Sequence, residues 1–281
     1  MQPARTIDLT TAPRAQATGT AEPAATQWEL DQFAVRPWSG ASVCGGFLGR
    51  RGGVSRGPYE SLNFSYFAGD DPANVQSNWR RLKSCFPPGV EFVQVHQVHG
   101  ACVRTVDAQS RGVVGVADGM VSTAPNRILA ILTADCVPVL LKDDRAQVIG
   151  ALHAGWRGVI ADIASAGVHA MKKLGANPHR IEAALGPAIG ACCFEVDIGL
   201  ARRFCTEIPG AALHLREAGD SKAFIDLKAI LLDQLMLAGL ERDAIVDVPV
   251  CTRCSHQRFF SRRAAGGQIT GLQLSFIGRA E

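Results

Sequence analysis

Residues 133–158 read TADCVPVLLKDDRAQVIGALHAGWRG, and the parsing of this stretch decides the fold. Residues 137–141 and 147–152 are apolar runs of strand length. Asp143-Asp144-Arg145-Ala146 between them is a polar turn, so the two runs form a hairpin rather than a crossover. Pairing Asp143 with Ala146 sets Cys136 directly opposite His153, with Cβ atoms about 4.5–5.5 Å apart. At that separation a thiolate and an imidazole can share one metal ion, or form a thiolate–imidazolium nucleophile pair. Pro138, inside the first run, predicts an edge strand or a bulge.

Downstream of His153, Ala154-Gly155-Trp156-Arg157-Gly158 leads into a helix predicted over 159–174. The glycines allow close backbone approach to a ligand, and Arg157 offers a fork for phosphate or carboxylate beside a helix N-terminus. Asp135, adjacent to Cys136, is placed to hydrogen-bond a ligand histidine or to relay a proton. Upstream, residues 92–98 alternate as a strand. His96 and His99 lie three apart and face opposite sides, so only one enters a common site. His99, before Gly100 at the strand end, is the candidate, while His96 reads as a packing or surface residue. Residues 57–63 form a loop whose polar side chains, Asn63 among them, are free to face a site.

Residues 43–54, rich in glycine, read as strand and turn, and further strands are predicted over 128–133 and 181–185. Helices are predicted from Asp71-Pro72 to about Cys85, capped by Asp70 or Asp71, and over 226–237, stopped by Gly239. Strands alternating with helices, plus a hairpin, give a mixed α/β (α+β) single domain and exclude an all-parallel sheet. Residues 1–27 lack hydrophobic periodicity and are expected to be a disordered tail, leaving 28–281 as the folded domain.

The 281-residue chain is 47% hydrophobic and 20% charged with net charge +3, too mild a balance to imply nucleic acid or an anionic membrane as partner. No apolar run is long enough for a transmembrane helix or a secretory leader, so the expected location is the cytoplasm. The nine cysteines then default to reduced, buried thiols. Cys251-Thr252-Arg253-Cys254 is a CxxC with His256 nearby, but no second CxxC completes a metal cage, which argues against one. Cys192-Cys193 are too close in sequence to bridge each other readily, and they follow a turn-rich loop at 186–190. Arg258, Arg262 and Arg263 read as a phosphate clamp or a solvated rim, the rim being favoured for Arg258.

Taken together, Gln97–Gly100, Ala117-Asp118-Gly119, Thr133-Ala134-Asp135-Cys136, the 153–158 segment, Leu185-Gly186-Pro187 and Phe259-Phe260-Ser261 resemble one family. It is the laccase-domain, polyphenol-oxidase-like family associated with purine nucleoside phosphorylase activity, and the likeness runs from about Gly53 to Gly278. The resemblance implies layered mixed sheets with flanking helices, related to cysteine-hydrolase-like domains. It implies a metal site of His99, Cys136 and His153 holding zinc, or copper; beside them Asp135 is a candidate catalytic residue, and Arg157, Asn63 and Gln97 are candidate substrate contacts. It implies phosphorolysis of adenosine, inosine and methylthioadenosine, with purine nucleosides and phosphate as partners, and adenosine deamination. A monomer or a small homo-oligomer is expected. The sequence departs from the family pattern at Arg262-Arg263-Ala264, at Leu272 after Thr270-Gly271, and at Trp79 after Asn78.

Three protein ligands with an open fourth position suit a catalytic zinc. The alternatives are a copper polyphenol oxidase, for which seven scattered histidines offer no HxH pair, a metal-free Cys–His amide hydrolase, and a purine or metal sensor without turnover.

Overall fold

Alternation of side chains to two buried faces builds the framework, and the hairpin at its centre shows it best. The computed structural model describes residues 34–35, 37 and 43–279; the tail expected over 1–27 and the domain start at Trp28 lie outside the described residues. In chain order the first half holds β1 (Ala34–Val35), β2 (Val43–Leu48), α1 (Pro72–Lys83), β3 (Glu91–His96), β4 (Val103–Val106), β5 (Gly112–Val116) and β6 (Gly119–Ser122). The hairpin region follows as β7 (Arg127–Thr133), β8 (Val137–Asp143), β9 (Val148–Ala154), α2 (Trp156–Ile160) and α3 (Ile163–Lys173). The remainder is β10 (Glu182–Leu185), β11 (Glu195–Asp197), α4 (Ile198–Glu207), β12 (Leu215–Ala218), β13 (Lys222–Ile225), α5 (Leu227–Leu237), β14 (Ile245–Asp247) and β15 (Gln273–Arg279).

Two six-stranded sheets carry the domain, ordered β1-β2-β15-β7-β3-β5 and β14-β10-β8-β9-β6-β4, with a small sheet β11-β13-β12 beside them. Both large sheets mix parallel and antiparallel pairs. Between them, Phe47, Leu129, Ile131 and Ile277 of the first meet Met120, Leu140, Ile149 and Ala184 of the second. On the far side of the second sheet, Val139, Leu141, Val148 and Leu152 pack on Ile163, Val168 and Met171 of α3 and Leu231 of α5. On the far side of the first, Ile128, Ala130 and Phe276 pack on Val75, Trp79 and Leu82 of α1. The layers therefore run helix, sheet, sheet, helix. Each central strand is apolar on both faces, which is why β8 and β9 read as continuous hydrophobic runs.

Trp79, one of the departures from the family pattern, fills the outer layer. It stands edge-on to Phe64 and Phe92 and donates its indole N–H to Phe64 O at 3.0 Å. α1 starts as expected, with Asp71 Oδ1 accepting from Ala73 N at 2.8 Å.

Three expectations need correction. The hairpin pairs Asp143 with Val148, not Ala146, so His153 faces Pro138 and the loop is four residues, 144–147. The Asp143 carboxylate accepts from the N–H of Arg145 and Ala146, and Gln147 takes a positive φ of 56°, which together hold the wider loop. Pro138 lies neither on an edge nor at a bulge, because β8 sits between β10 and β9. It is tolerated near the strand end, where Gly186 N donates to Pro138 O at 2.9 Å, and only the reciprocal N–H is missing. The helix expected over 159–174 is two helices. Asp162 breaks it with φ 57° and caps α3 by accepting from Ser165 N at 3.2 Å.

Candidate metal and active site

Two loops and a strand end converge at one end of the β8–β9 hairpin. Cys136 lies in the tight link between β7 and β8, His153 is the penultimate residue of β9, and His99 follows β3. The register shift of two residues leaves side-chain facing unchanged, so Cys136 still points to the face that carries His153. One ligand atom from each of the three, two imidazole nitrogens and a sulfur, lies within 4.8 Å of the others. The two imidazole rings stand edge-to-face with centroids 4.7 Å apart. His153 is buried, Cys136 half-buried and His99 exposed, so the cluster has a closed side and an open one.

Asp118, just before β6, organises this corner, and no role was expected for it. Its fully buried carboxylate accepts from His153 Nδ1 at 2.8 Å, His99 N at 2.8 Å and Gly100 N at 2.6 Å, with Val98 N at 3.2 Å. An ionised carboxylate accepts only, so Nδ1 of His153 carries the proton and Nε2 is free for the sulfur or an ion. The same bonds hold His99 at a positive φ of 63°. Burial opposes ionisation of Asp118, but the bonds from His153, Gly100 and His99 outweigh it and keep its pKa low. The signal in the sequence was a lone carboxylate between apolar neighbours at 114–121, which burial obliges to find donors.

The electrostatics of the trio are strongly coupled. Burial works to raise the Cys136 thiol, yet the charge of His153 and hydrogen bonds from His153 and His99 bring it down to about 6. Burial works to lower His153, yet the Cys136 thiolate and Asp118 raise it to about 9. The thiolate of Cys136 and the protonated ring of His153 thus favour one another. One thiolate sulfur and two nitrogens, with a carboxylate behind one imidazole, is a donor set that fits zinc or another soft-to-borderline divalent cation.

Glycine permits the crowding. A Cβ on Gly155 would lie 2.8 Å from His99 Cδ2 and 3.1 Å from Cys136 Sγ. One on Gly158 would lie 2.8 Å from Gly100 O, so the first turn of α2 seats directly against the His99 loop.

The other expected site residues fall elsewhere. Asp135 touches neither histidine: held at φ 89°, it accepts from Thr252 Oγ1 at 2.6 Å and Arg263 N at 2.7 Å, and its carbonyl accepts from Ile189 N. Its role is to tie three loops beneath Cys136; Asp118 has the histidine partnership expected of it. Asn63 is buried with its amide fully engaged by Ser65, Asp70 and Leu272 N, stitching the scaffold together. Gln97 donates to Leu132 O at 2.8 Å and accepts from Leu132 N at 2.9 Å, mimicking a strand partner for β7. Arg157 is exposed and stacks over the Trp156 ring at 4.2 Å. His96 is exposed and edge-on to Phe67, as a surface residue. Arg258 is exposed over Phe259, while Arg263 is bound by its backbone to Asp135 and by Nη1 to Cys193 O.

Comparison with known proteins places this geometry in context. Residues 45–280 match the family model described as multi-copper polyphenol oxidoreductase laccase. The purine nucleoside phosphorylase YlmD of Geobacillus stearothermophilus is 36% identical over 257 residues, covering 87% of this chain and 92% of that protein. A purine nucleoside phosphorylase of Streptomyces coelicolor is 42% identical over 231 residues, covering 80% and 93%. The crystal structure of YlmD from Geobacillus stearothermophilus superposes with a TM-score of 0.84 at 34% identity, covering 92% of this chain and 98% of that one. A Neisseria meningitidis protein structure superposes at 0.78 with 31% identity, covering 89% and 99%.

Proposed function

The chain belongs to the multi-copper polyphenol oxidoreductase laccase family, and from that premise we propose that it is a zinc-dependent purine nucleoside phosphorylase that also deaminates adenosine. Its nucleoside substrates are adenosine, inosine and methylthioadenosine, with phosphate as co-substrate. The observation that carries the reading is the convergence of His99, Cys136 and His153 within 4.8 Å, with Asp118 behind His153. Relatives that align over most of their length with this chain are named purine nucleoside phosphorylases.

Zinc held there would supply a Lewis acid beside the bound nucleoside. The chain's own groups do the rest. Asp118 fixes the tautomer and angle of His153, so that Nε2 and the Cys136 sulfur present lone pairs to one point. His99, the exposed member, borders the side from which a nucleoside enters. The close seat of Gly155 and Gly158 narrows the floor, leaving no room there for a side chain. Arg157, at the entrance to α2, is the proposed phosphate contact, its guanidinium released from the Trp156 face when the anion arrives.

The low thiol pKa of Cys136 beside His153 supports one other reading, a metal-free amide hydrolase with Cys136 as nucleophile. A copper oxidase is favoured less: among the described residues the site gathers two histidines and one cysteine, and dioxygen reduction to water calls for several coppers. Incubation of zinc-loaded protein with adenosine, with and without phosphate, followed by chromatography separates these. Adenine and ribose-1-phosphate formed only with phosphate, and inosine formed in both, are expected. Absence of all three products, or full activity after exhaustive chelation, overturns the proposal.

A further inference from the structure

A second cluster lies outside the triad and has no part in the chemistry above. Cys192, Cys193, Cys251 and Cys254 bring their four sulfurs within 4.8 Å of one another. Cys192 and Cys254 sulfurs are 3.7 Å apart, Cys193 and Cys254 3.4 Å, and Cys192 and Cys193 3.6 Å. We propose that these four cysteines form a tetrathiolate site for one zinc ion that serves structure rather than catalysis. Four thiolates at about 2.3 Å from a tetrahedral zinc lie about 3.8 Å from each other, close to the spacing seen. All four are free cysteines in the structure, and four-sulfur tetrahedral sets select zinc among abundant divalent ions.

The surroundings suit a doubly negative zinc–thiolate group. Gly190 N donates to Cys251 Sγ at 3.3 Å, and Arg253 Nη1 donates to Cys193 Sγ at 3.4 Å. Arg263 reaches Cys193 O at 3.1 Å, placing a second guanidinium beside the cluster. The sequence offered one CxxC; the vicinal pair Cys192-Cys193, some sixty residues earlier, supplies what a second CxxC would have given.

The clamp acts on the floor of the triad. Thr252, between the two cysteines of the CxxC, donates through Oγ1 to Asp135 and through its N–H to Ala188 O at 2.9 Å. Ile189 N donates to Asp135 O. Both loops joined by the four sulfurs therefore grip Asp135, the residue before Cys136, and an ion there fixes the backbone on which Cys136 sits.

The test is metal content of the full chain, expressed with zinc and purified under reducing conditions. Wild type is expected to hold about two zinc ions per chain, and His99→Ala/Cys136→Ser about one. Cobalt exchanged into that triad variant is expected to give the visible bands and strong sulfur-to-metal charge transfer of a tetrathiolate site. Cys193→Ser/Cys254→Ser is expected to lose one zinc and to unfold at lower temperature; if it fails to fold, the triad variant alone decides. A triad variant with no zinc, one that holds iron in its place, or a mass deficit of two hydrogens marking a disulfide within the quartet overturns the proposal.

Discussion

Adding one methyl group at Gly155 tests the site with little disturbance to the fold. Gly155 has φ −73° and ψ 164°, a conformation open to alanine, so Gly155→Ala introduces no backbone strain. The new Cβ meets His99 Cδ2 at 2.8 Å and Cys136 Sγ at 3.1 Å, where ordinary contact is 3.4–4 Å. His99 must therefore retreat by about 0.6 Å and Cys136 by about 0.3 Å from the point where their lone pairs converge. His99 is exposed and can swing outward, so the stability cost sits at the low end of overpacking, about 1 kcal/mol. For a chain of this size that lowers Tm by about 2–4 °C. Displacement of a catalytic group by about 1 Å costs on the order of 100-fold in rate, so kcat/KM for adenosine should fall about 10- to 100-fold. Zinc affinity at the triad should weaken with it. Gly199→Ala is the control, because a Cβ there meets nothing within 4 Å. A Gly155→Ala enzyme with wild-type zinc content and wild-type rates would refute the assignment of these atoms to one site.

Asp118→Asn leaves the carboxylate shape but turns an NH2 towards backbone donors; a loss of about 3–5 kcal/mol in stability and 10- to 100-fold weaker triad zinc binding are expected, read by thermal unfolding and competition with a chelator. In protein stripped of metal, iodoacetamide alkylation of Cys136 should rise with a midpoint near pH 6; a midpoint at the ordinary thiol value of about 8.5 would remove the thiolate–imidazolium pair. Asp143 is buried, and although burial opposes its ionisation, bonds from Asn177 and Ala146 N–H and from Arg180 hold its pKa low. Its stabilising contribution is thus complete above the unfolded value of about 3.9 and fades as pH falls through the lower folded value, so Asp143→Asn should be less stable at neutral pH and lose less on acidification, by denaturant titration at each pH. Leu140→Ala, which empties a fully buried position between the two sheets, should cost about 2–5 kcal/mol without altering zinc content.

The residues that could be read from sequence are those whose signal is local. The apolar runs of β7, β8 and β9, the Asp71 cap of α1 and the Asp226 cap of α5 follow from periodicity and capping chemistry within a few residues. The pairing of Cys136 with His153 was reached through a register two residues wrong. The inference survived because side-chain facing repeats every two residues; a slip of one would have destroyed it. What stayed hidden is what depends on partners far along the chain. Asp118 bonds His153 across 35 positions, Asp135 bonds Thr252 across 117, and Gln97 and Asn63 have their amides taken by backbone at Leu132 and Leu272. The same holds for the four sulfurs, whose vicinal pair carries no spacing that marks it as half of a cage.

The position of β15 sets a constraint on biosynthesis. It fills the gap between β2 and β7, pairing with both, although more than a hundred residues separate it from either. While residues 273–279 are still inside the ribosome, β2 has, among the described residues, only the two-residue β1 for a partner, and β7 shows a bare hydrogen-bonding edge. The nascent chain can form the hairpin early, but it must wait for residues 273–279 to emerge before the sheet facing it closes. Until then the unpaired edge is the point at which a chaperone, a protease or a neighbouring copy would first engage the chain.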